Sequence, residues 1–438
     1  MKSEAEPMKR FLHLKKKLVA LFSVIFIFQS ALAGTDKLSI GGYYKAQFNA
    51  YDFPDNKSTI DLPVDFIIWA ASNSVRLDVN YHPRERISFN LAYSFTPRVS
   101  DPILPFLFDY SPLAVRIDSQ GYRVDDVNNR LYPDSWEDDQ GIAFFQNLDR
   151  AMVTIRTSRA DFFIGRQAIA WGSARIINPT DIIAPLTYDE LNTEDRVGVD
   201  AFRMRWPLGV MSEIDAGYIA GRNCEFDRSA AYLRTKWYAC KTDVTFMTAG
   251  FRENLMAGID LARALGGAGM WLEGAYVWVD ALNSERNRND RDYFRGTIGL
   301  DYSFGDRTYG FLEYHYNGAG AAATGDYLER LEQPAYTEGA VYLMGRHYLV
   351  PGITYQLTPL FLLSGQLLVN LTEPSGYLTP QFEYNIAPNI YINGGAFIGL
   401  GKYPVFEVDI DEISVRAQLR SEFGSYTNIF FSSLKMYF

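Results

Sequence analysis

From about residue 38 to the last residue, apolar and polar side chains take turns along the chain, a period of two that only extended strands convert into two distinct faces. In LSIGGYYKAQFNAY, Leu38, Ile40, Tyr44, Ala46 and Phe48 share one face, and Ser39, Tyr43, Lys45, Gln47 and Asn49 share the other. ISFNLAYSF sets Ile87, Phe89, Leu91, Tyr93 and Phe95 against Ser88, Asn90, Ala92 and Ser94. FRGTIGLDYSF sets Phe294, Ile298, Leu300, Tyr302 and Phe304 against Arg295, Thr297 and Asp301. Each is an amphipathic strand long enough to cross a bilayer. The alternation runs into the terminus itself, NIFFSSLKMYF, which gives the closing residues no polar tail and implies that something buries them.

The other end reads differently. MKRFLHLKKK supplies a basic stretch, LVALFSVIFIF an apolar run and SALAG a small-residue cleavage pattern, so residues 1–33 are expected to be a signal peptide cut after Ala33. A membrane anchor is the alternative, but the run from Leu18 to Phe28 falls short of the roughly 20 residues a spanning helix needs. No cysteine lies near the cut, which argues against a lipoprotein. Removing the leader, with its six basic and two acidic residues, leaves 36 basic and 50 acidic, a net charge of −14 that speaks against nucleic acid as a partner. Only two cysteines occur, Cys224 and Cys240, so no disulfide framework holds this exported chain together.

The connections supply the architecture. Tight ones, HPRE (82–85), TSRA (157–160), PLG (207–209), GDR (305–307), TP (358–359) and APN (387–389), alternate with long ones near 52–72, 96–147, 169–196, 317–345 and 401–425. Short turns on one rim and long loops on the other describe a transmembrane antiparallel β-barrel, closed so that no edge faces lipid, with short periplasmic turns and long outer loops. Strand centres are expected near 44, 77, 91, 153, 164, 201, 215, 235, 248, 260, 275, 298, 312, 352, 365, 382, 395 and 432, about 18 strands (16 to 18) in an all-β domain over 34–438. The stretch 413–423, ISVRAQLRSEF, alternates too, but counting it as a strand would leave the C-terminus on the wrong side, so it goes to the last outer loop. In this topology Cys224 lies in an outer loop and Cys240 at the far end of the next strand, too distant for a bond.

NIFFSSLKMYF then becomes the closing strand, paired with the first, with Phe438 at the membrane interface. It also resembles the C-terminal assembly signal of bacterial outer-membrane proteins, in which a final Phe follows apolar residues two apart; Leu434, Met436 and Phe438 fit and Ser432 fits weakly. That resemblance implies a Gram-negative outer membrane, with its lipid and lipopolysaccharide, and a barrel-assembly machinery as partners. An edge strand of a soluble secreted β-protein is the alternative.

Catalytic signals are sparse. His82 sits in a turn, His315 on a strand and His347 beside a loop; no metal-ligand spacing, Ser/His/Asp grouping or phosphate-cradling glycine motif stands out, and no cofactor is implied. His315 shares a polar face with Glu313, which reads as a hydrogen-bonded pair lining a lumen. Charge concentrates instead on polar faces between 149 and 240: Arg150 and Arg156, Arg203 and Arg205, Arg234 and Lys236, with Glu213 and Asp215 facing inward between them. The PLG turn would set Arg203 nearly opposite Glu213. The set could guide anions or form a cross-strand ion-pair ladder that stiffens the wall.

The most distinctive stretch is DFFIGRQAIAWGSARIINPTDIIAP, with Gly165, Arg166 and Gln167, then Trp171 and Gly172, then Asn178 and Pro179. It resembles the Gly-Arg-Gln, Trp-Gly and Asn-Pro pattern of a largely uncharacterised group of porin-like outer-membrane barrels. The resemblance implies a channel without naming a solute; the Pro-Glu-Phe-Gly-Gly motif of general porins is absent. The long, apolar loop after Gln167 is poorly suited to outside water. Folded inward it would bury Trp171 and Ile176 and turn Arg175, Asp181 and Arg166 toward a solute; packing over the outer rim is the other course. Strict alternation from Phe162 and Ile164 points Arg166 at lipid unless Gly165 resets the face. The expected function is passive passage of small hydrophilic solutes, anionic ones included, by a monomer or homotrimer; a polysaccharide-export barrel and a plugged surface enzyme or adhesin stay open as alternatives. Alternation starting within a few residues of Gly34 leaves no room for the plug domain of an energy-coupled receptor.

Overall fold

The computed structural model describes residues 37–54, 57–58, 67–104, 121–125, 129–133, 139–186, 195–283, 291–409 and 414–438; the expected leader, residues 1–33, lies outside them. Eighteen strands close into one antiparallel barrel. In order they are Leu38–Asp52, Ile67–Arg84, Ile87–Ser100, Ile142–Arg156, Asp161–Gln167, Val199–Pro207, Glu213–Ile219, Ala230–Ala239 and Thr242–Phe251. Then follow Asn254–Leu265, Ala268–Trp278, Tyr293–Phe304, Thr308–Asn317, His347–Thr358, Phe361–Asn370, a strand in two pieces (Ser375–Leu378 and Gln381–Ala387), Ile390–Leu400 and Asn428–Tyr437. The split strand breaks at Thr379 and Pro380, where proline has no N–H to give the ladder. Every expected strand centre falls inside one of these strands.

Closure explains the chain's aromatic end. The first strand pairs on one side with Ile67–Arg84 and on the other with the last strand, in a register that sets Tyr43 against Tyr437 and Phe48 against Ser432. Phe438 exchanges two 3.0 Å backbone hydrogen bonds with Gly42, so the terminal residue is tied into the ladder. Side chains divide as a bilayer-spanning wall requires, apolar outside and polar inside. On the strand Tyr293–Phe304, Phe294, Ile298, Leu300 and Tyr302 are exposed outward, while Arg295, Thr297 and Asp301 are buried inward.

The long loops all leave the same rim. Residues 414–423 of the stretch 413–423 belong to one of them, residue 413 lying outside the described residues: Val405–Asp409 pairs with Ser414–Gln418 and with Lys57–Ser58 in a three-stranded sheet separate from the barrel. Cys224 and Cys240 are both free and exposed, on opposite rims.

One register differs from expectation. The chain between Val199–Pro207 and Glu213–Ile219 turns over 208–212, closed by Leu208 N–H donating to Ser212 O at 2.8 Å. The turn is therefore longer than PLG, and Arg203 stands across from Gly217, not Glu213.

Candidate functional site, a loop pinned inside the barrel

Between Gln167 and Val199 the described residues are 168–186 and 195–198, and the first of these stretches enters the barrel and stays there. Ile169, Trp171, Ile182, Ile183 and Ala184 are buried together with inward-facing wall residues that include Tyr232, Met247, Met256 and Val277. Trp171 packs edge-on against Tyr232 with ring centroids 4.8 Å apart. Each such large side chain removed from water contributes about 1.5–3 kcal/mol, so the apolar content of the loop is the reason it folds inward.

Polar groups fix where it sits. Glu273, 1% exposed, accepts from Thr180 N–H and Oγ1–H at 2.8 and 2.7 Å and from Ser173 N–H at 3.2 Å. Two strands along, Glu313, fully buried, accepts from the N–H groups of Arg175 (2.8 Å) and Ile177 (2.9 Å) and from Trp271 Nε1–H (3.1 Å). Ser173 Oγ–H donates to Asp260. Thr297 Oγ1–H donates to Ile177 O at 2.8 Å, and His315 Nδ1 lies 2.8 Å from the same oxygen atom of Thr297. Glu313 and His315 thus face inward as expected but serve the loop and Thr297, not each other. A carboxylate accepting several backbone N–H groups does what a helix N-terminus does for an anion, with the roles reversed: the wall holds the charge and the loop supplies the amides.

The Gly-Arg-Gln, Trp-Gly and Asn-Pro positions build this arrangement. Gly165 has φ +111°, and a Cβ there would lie 2.3 Å from Ala151 O; Gly172 has φ +98°, and a Cβ would lie 2.2 Å from Asn178 Oδ1 and 2.6 Å from Glu273 Oε2. Only glycine lets the loop approach its anchor so closely. The ladder runs through Gly165 with no residue inserted, yet Arg166 is 6% exposed. It grips Asp200 with Nε and Nη2 at 2.8 and 2.9 Å and donates to Leu148 O and Asp125 O. Arg166 therefore keeps the face of Ile164 and of its cross-strand partner Asp200, and protein that includes residues 124–125 covers the pair there. Gln167 donates to Ala201 O at 3.2 Å.

The other charged positions are distributed as follows. Arg175 is bound to Asp301 at 2.6 Å, lies over the Trp271 ring at 5.3 Å, and keeps half its side chain exposed. The bond to Asp301 holds its guanidinium even more firmly charged than usual. Asp181 is buried and pairs with Arg196; burial pushes its carboxyl upward, against the pull of Arg196 and Arg295. Arg150 reaches Asp149 at 2.8 Å and Arg196 O at 2.9 Å. Asp149 occupies a bulge between Leu148 and Arg150 and also binds Arg76 at 3.0 Å. Arg203 makes a two-pronged bond to Asp215 (2.9 and 2.5 Å), Arg205 reaches Glu213 at 3.0 Å, Arg234 reaches Glu213 at 3.7 Å, and Lys236 reaches Asp243 at 3.4 Å. Those four cations each have a carboxylate partner on a neighbouring strand. Arg156 lies exposed at the short-turn rim.

Sequence reading passed over Glu273, Thr180, Arg295 and Arg196. Glu273 carried a usable signal, since in GMWLEGAYVW it is the single charge among large apolar residues, and a carboxylate placed there needs partners from elsewhere.

A second carboxylate node ties the long loops to each other. Glu422 accepts from Met344 N–H (2.8 Å), Tyr348 Oη–H (2.6 Å) and Asn370 Nδ2–H (2.7 Å), with Glu373 beside it. Burial pushes its pKa up to about 7. A raised carboxyl keeps a proton in the folded state that the unfolded chain gives up near its ordinary value. Its contribution is therefore complete at low pH and is lost as pH rises through about 7. Proteolytic nicking within 401–427 should speed up severalfold between pH 5 and pH 8, and Glu422→Gln, which needs no proton, should flatten that dependence.

No family model and no curated protein matches this chain. Among solved structures it is similar to Acinetobacter baumannii OccAB4, at 9% identity over 92% of this chain and 99% of the other, with a TM-score of 0.52. It is similar also to Pseudomonas aeruginosa OccK1 (OpdK), at 9% identity over 92% and 98% of the two chains, TM-score 0.50. A structure of OpdK with vanillate gives 0.51 at the same identity and coverage. Likeness at this identity establishes the fold, a porin-type β-barrel.

Proposed function

We propose that this protein is an outer-membrane channel through which small hydrophilic solutes pass down their gradient, narrowed by the inward segment 168–186. One observation carries the reading: with the loop seated, inward-facing charges still meet water. The Arg175 side chain is 50% exposed, Arg205 41% and Asp78 34%, which suits a constricted, wetted lumen better than a sealed one. The porin-type fold supports it, and on this reading residues 1–33 direct export. The refolded chain in a planar bilayer should give discrete conductance steps; a folded barrel that stays silent would overturn the proposal.

Anion preference is the finer part of the reading. Arg175→Ala would leave Asp301 unpaired beside the loop, so the anion-to-cation permeability ratio in a salt gradient should fall roughly two- to fivefold, as expected for one partly screened charge. An unchanged reversal potential would remove Arg175 from the selectivity of the channel.

A further inference from the structure

Four consecutive wall strands, Ala268–Trp278, Tyr293–Phe304, Thr308–Asn317 and His347–Thr358, end at the long-loop rim around a recess of about 80 Å³. Its charged lining is Arg291, Arg330, Arg346 and Asp292. None of the three guanidiniums is ion-paired among the described residues, unlike Arg166, Arg175, Arg203 and Arg205. Arg330 Nη1–H donates to Gln333 Oε1 at 3.1 Å, and Arg346 Nε–H donates to Gly320 O at 3.0 Å. Arg291 is exposed and has no side-chain partner among the described residues. Asp292 is partly engaged elsewhere, its Oδ1 accepting from Val279 N–H at 3.0 Å. Three guanidiniums against one carboxylate leave two positive charges. Other acids do not cancel them: Glu329 and Glu332, exposed on either side of Arg330 in the chain, are not in the lining, and Glu253, Asp280 and Glu338 group around Arg252 and Asn254. Residues 284–290, outside the described residues, add two charges of each sign.

Like charges that converge in a partly enclosed space repel one another, and an anion among them removes the cost. The charge selects the kind of anion. A phosphate monoester carries about −1.5 to −2 at pH 7 and three acceptor oxygens, which matches both the excess charge and the number of cations. Guanidinium forks suit phosphate oxygens because they can bind them in pairs. A single carboxylate would offset one charge and leave the other. Size agrees with this choice: a water takes about 30 Å³ of the liquid, so the recess admits a group of a few heavy atoms and leaves the rest of the ligand outside. We infer that this recess binds the phosphoryl group of a phosphate monoester arriving at the outer rim, held by Arg291, Arg330 and Arg346. The inference goes beyond the channel reading and does not depend on conduction.

The test is titration calorimetry on the refolded full chain in detergent micelles, with glycerol phosphate as the probe. Glycerol phosphate should bind at least about tenfold more tightly than acetate, and glycerol should give no heat of binding. Arg291→Gln should weaken glycerol phosphate about tenfold or more, the size of one charge-assisted hydrogen bond lost. That side chain holds no other part of the described protein, so the variant should fold as the parent does, which heat-modifiable gel migration would verify. Arg346→Gln, which also frees Gly320 O, should weaken binding to a similar degree. A dissolved ester and a lipid-borne one are told apart in phosphatidylcholine vesicles containing either phosphatidic acid, a lipid phosphate monoester, or phosphatidylglycerol, which is anionic without one. Loss of glycerol phosphate binding with phosphatidic acid alone would assign the recess to lipid, equal binding in both would assign it to a dissolved solute, and each upholds the phosphoryl site. Acetate binding as tightly as glycerol phosphate, or glycerol phosphate binding unchanged in a folded Arg291→Gln variant, would overturn it and leave the channel reading standing.

Discussion

Single-channel conductance should rise severalfold when Glu273 and Glu313 are replaced together by alanine. The two carboxylates accept from the backbone of Ser173, Arg175, Ile177 and Thr180, and from two side chains, Thr180 Oγ1–H and Trp271 Nε1–H. A hydrogen bond to a charged group contributes about 1.5–3 kcal/mol, so the pair is worth on the order of 5 kcal/mol or more to the docked loop. The apolar side chains that remain still favour burial, but several amides lose their acceptors in a closed interior and the loop then samples undocked positions. The barrel itself is held by ladder hydrogen bonds and should persist, which far-UV circular dichroism would verify. A folded double variant with ordinary conductance would mean that the loop does not set the width of the pore.

The largest loss of stability should follow Arg166→Met. This guanidinium is nearly fully buried, makes a two-pronged bond to Asp200 and donates to carbonyls on two separate segments. Removing one partner of a buried pair leaves the other charge stranded, at a cost of about 3–5 kcal/mol. Thermal unfolding in detergent micelles should shift sharply downward, and the double variant Arg166→Met with Asp200→Leu should recover part of the loss. A single variant as stable as the parent would show that Asp200 finds water in its place.

The wall was legible in the sequence because lipid outside and water inside both impose a period of two, and strands such as Tyr293–Phe304 display it without exception. The register across Arg203 was not. Val210 and Met211 in the turn are apolar and wholly or largely exposed, so hydrophobicity could not separate the end of a strand from a turn at a membrane interface. The inward course of residues 168–186 could be weighed from their apolar side chains, whereas the anchors could not be found. Thr180 lies 93 residues from Glu273 and Arg175 lies 138 from Glu313, and no local pattern encodes contacts at such separation. Alternation gave the face of Arg166 but not its cover, because Asp200 lies 34 residues away and Asp125 lies 41 away, beyond any local pattern.

The same separation orders events during assembly. The loop is made before either of its anchors, and the strand that carries Glu313 is the thirteenth to be synthesised. Until that strand joins the sheet, Trp171 and the isoleucines around it have no interior to enter. Contacts this distant along the chain form late and leave apolar surface waiting meanwhile. The seated loop is thus the last part of this half of the molecule to mature, and a nascent barrel stalled before its thirteenth strand would present a sticky, unseated loop to whatever escorts it.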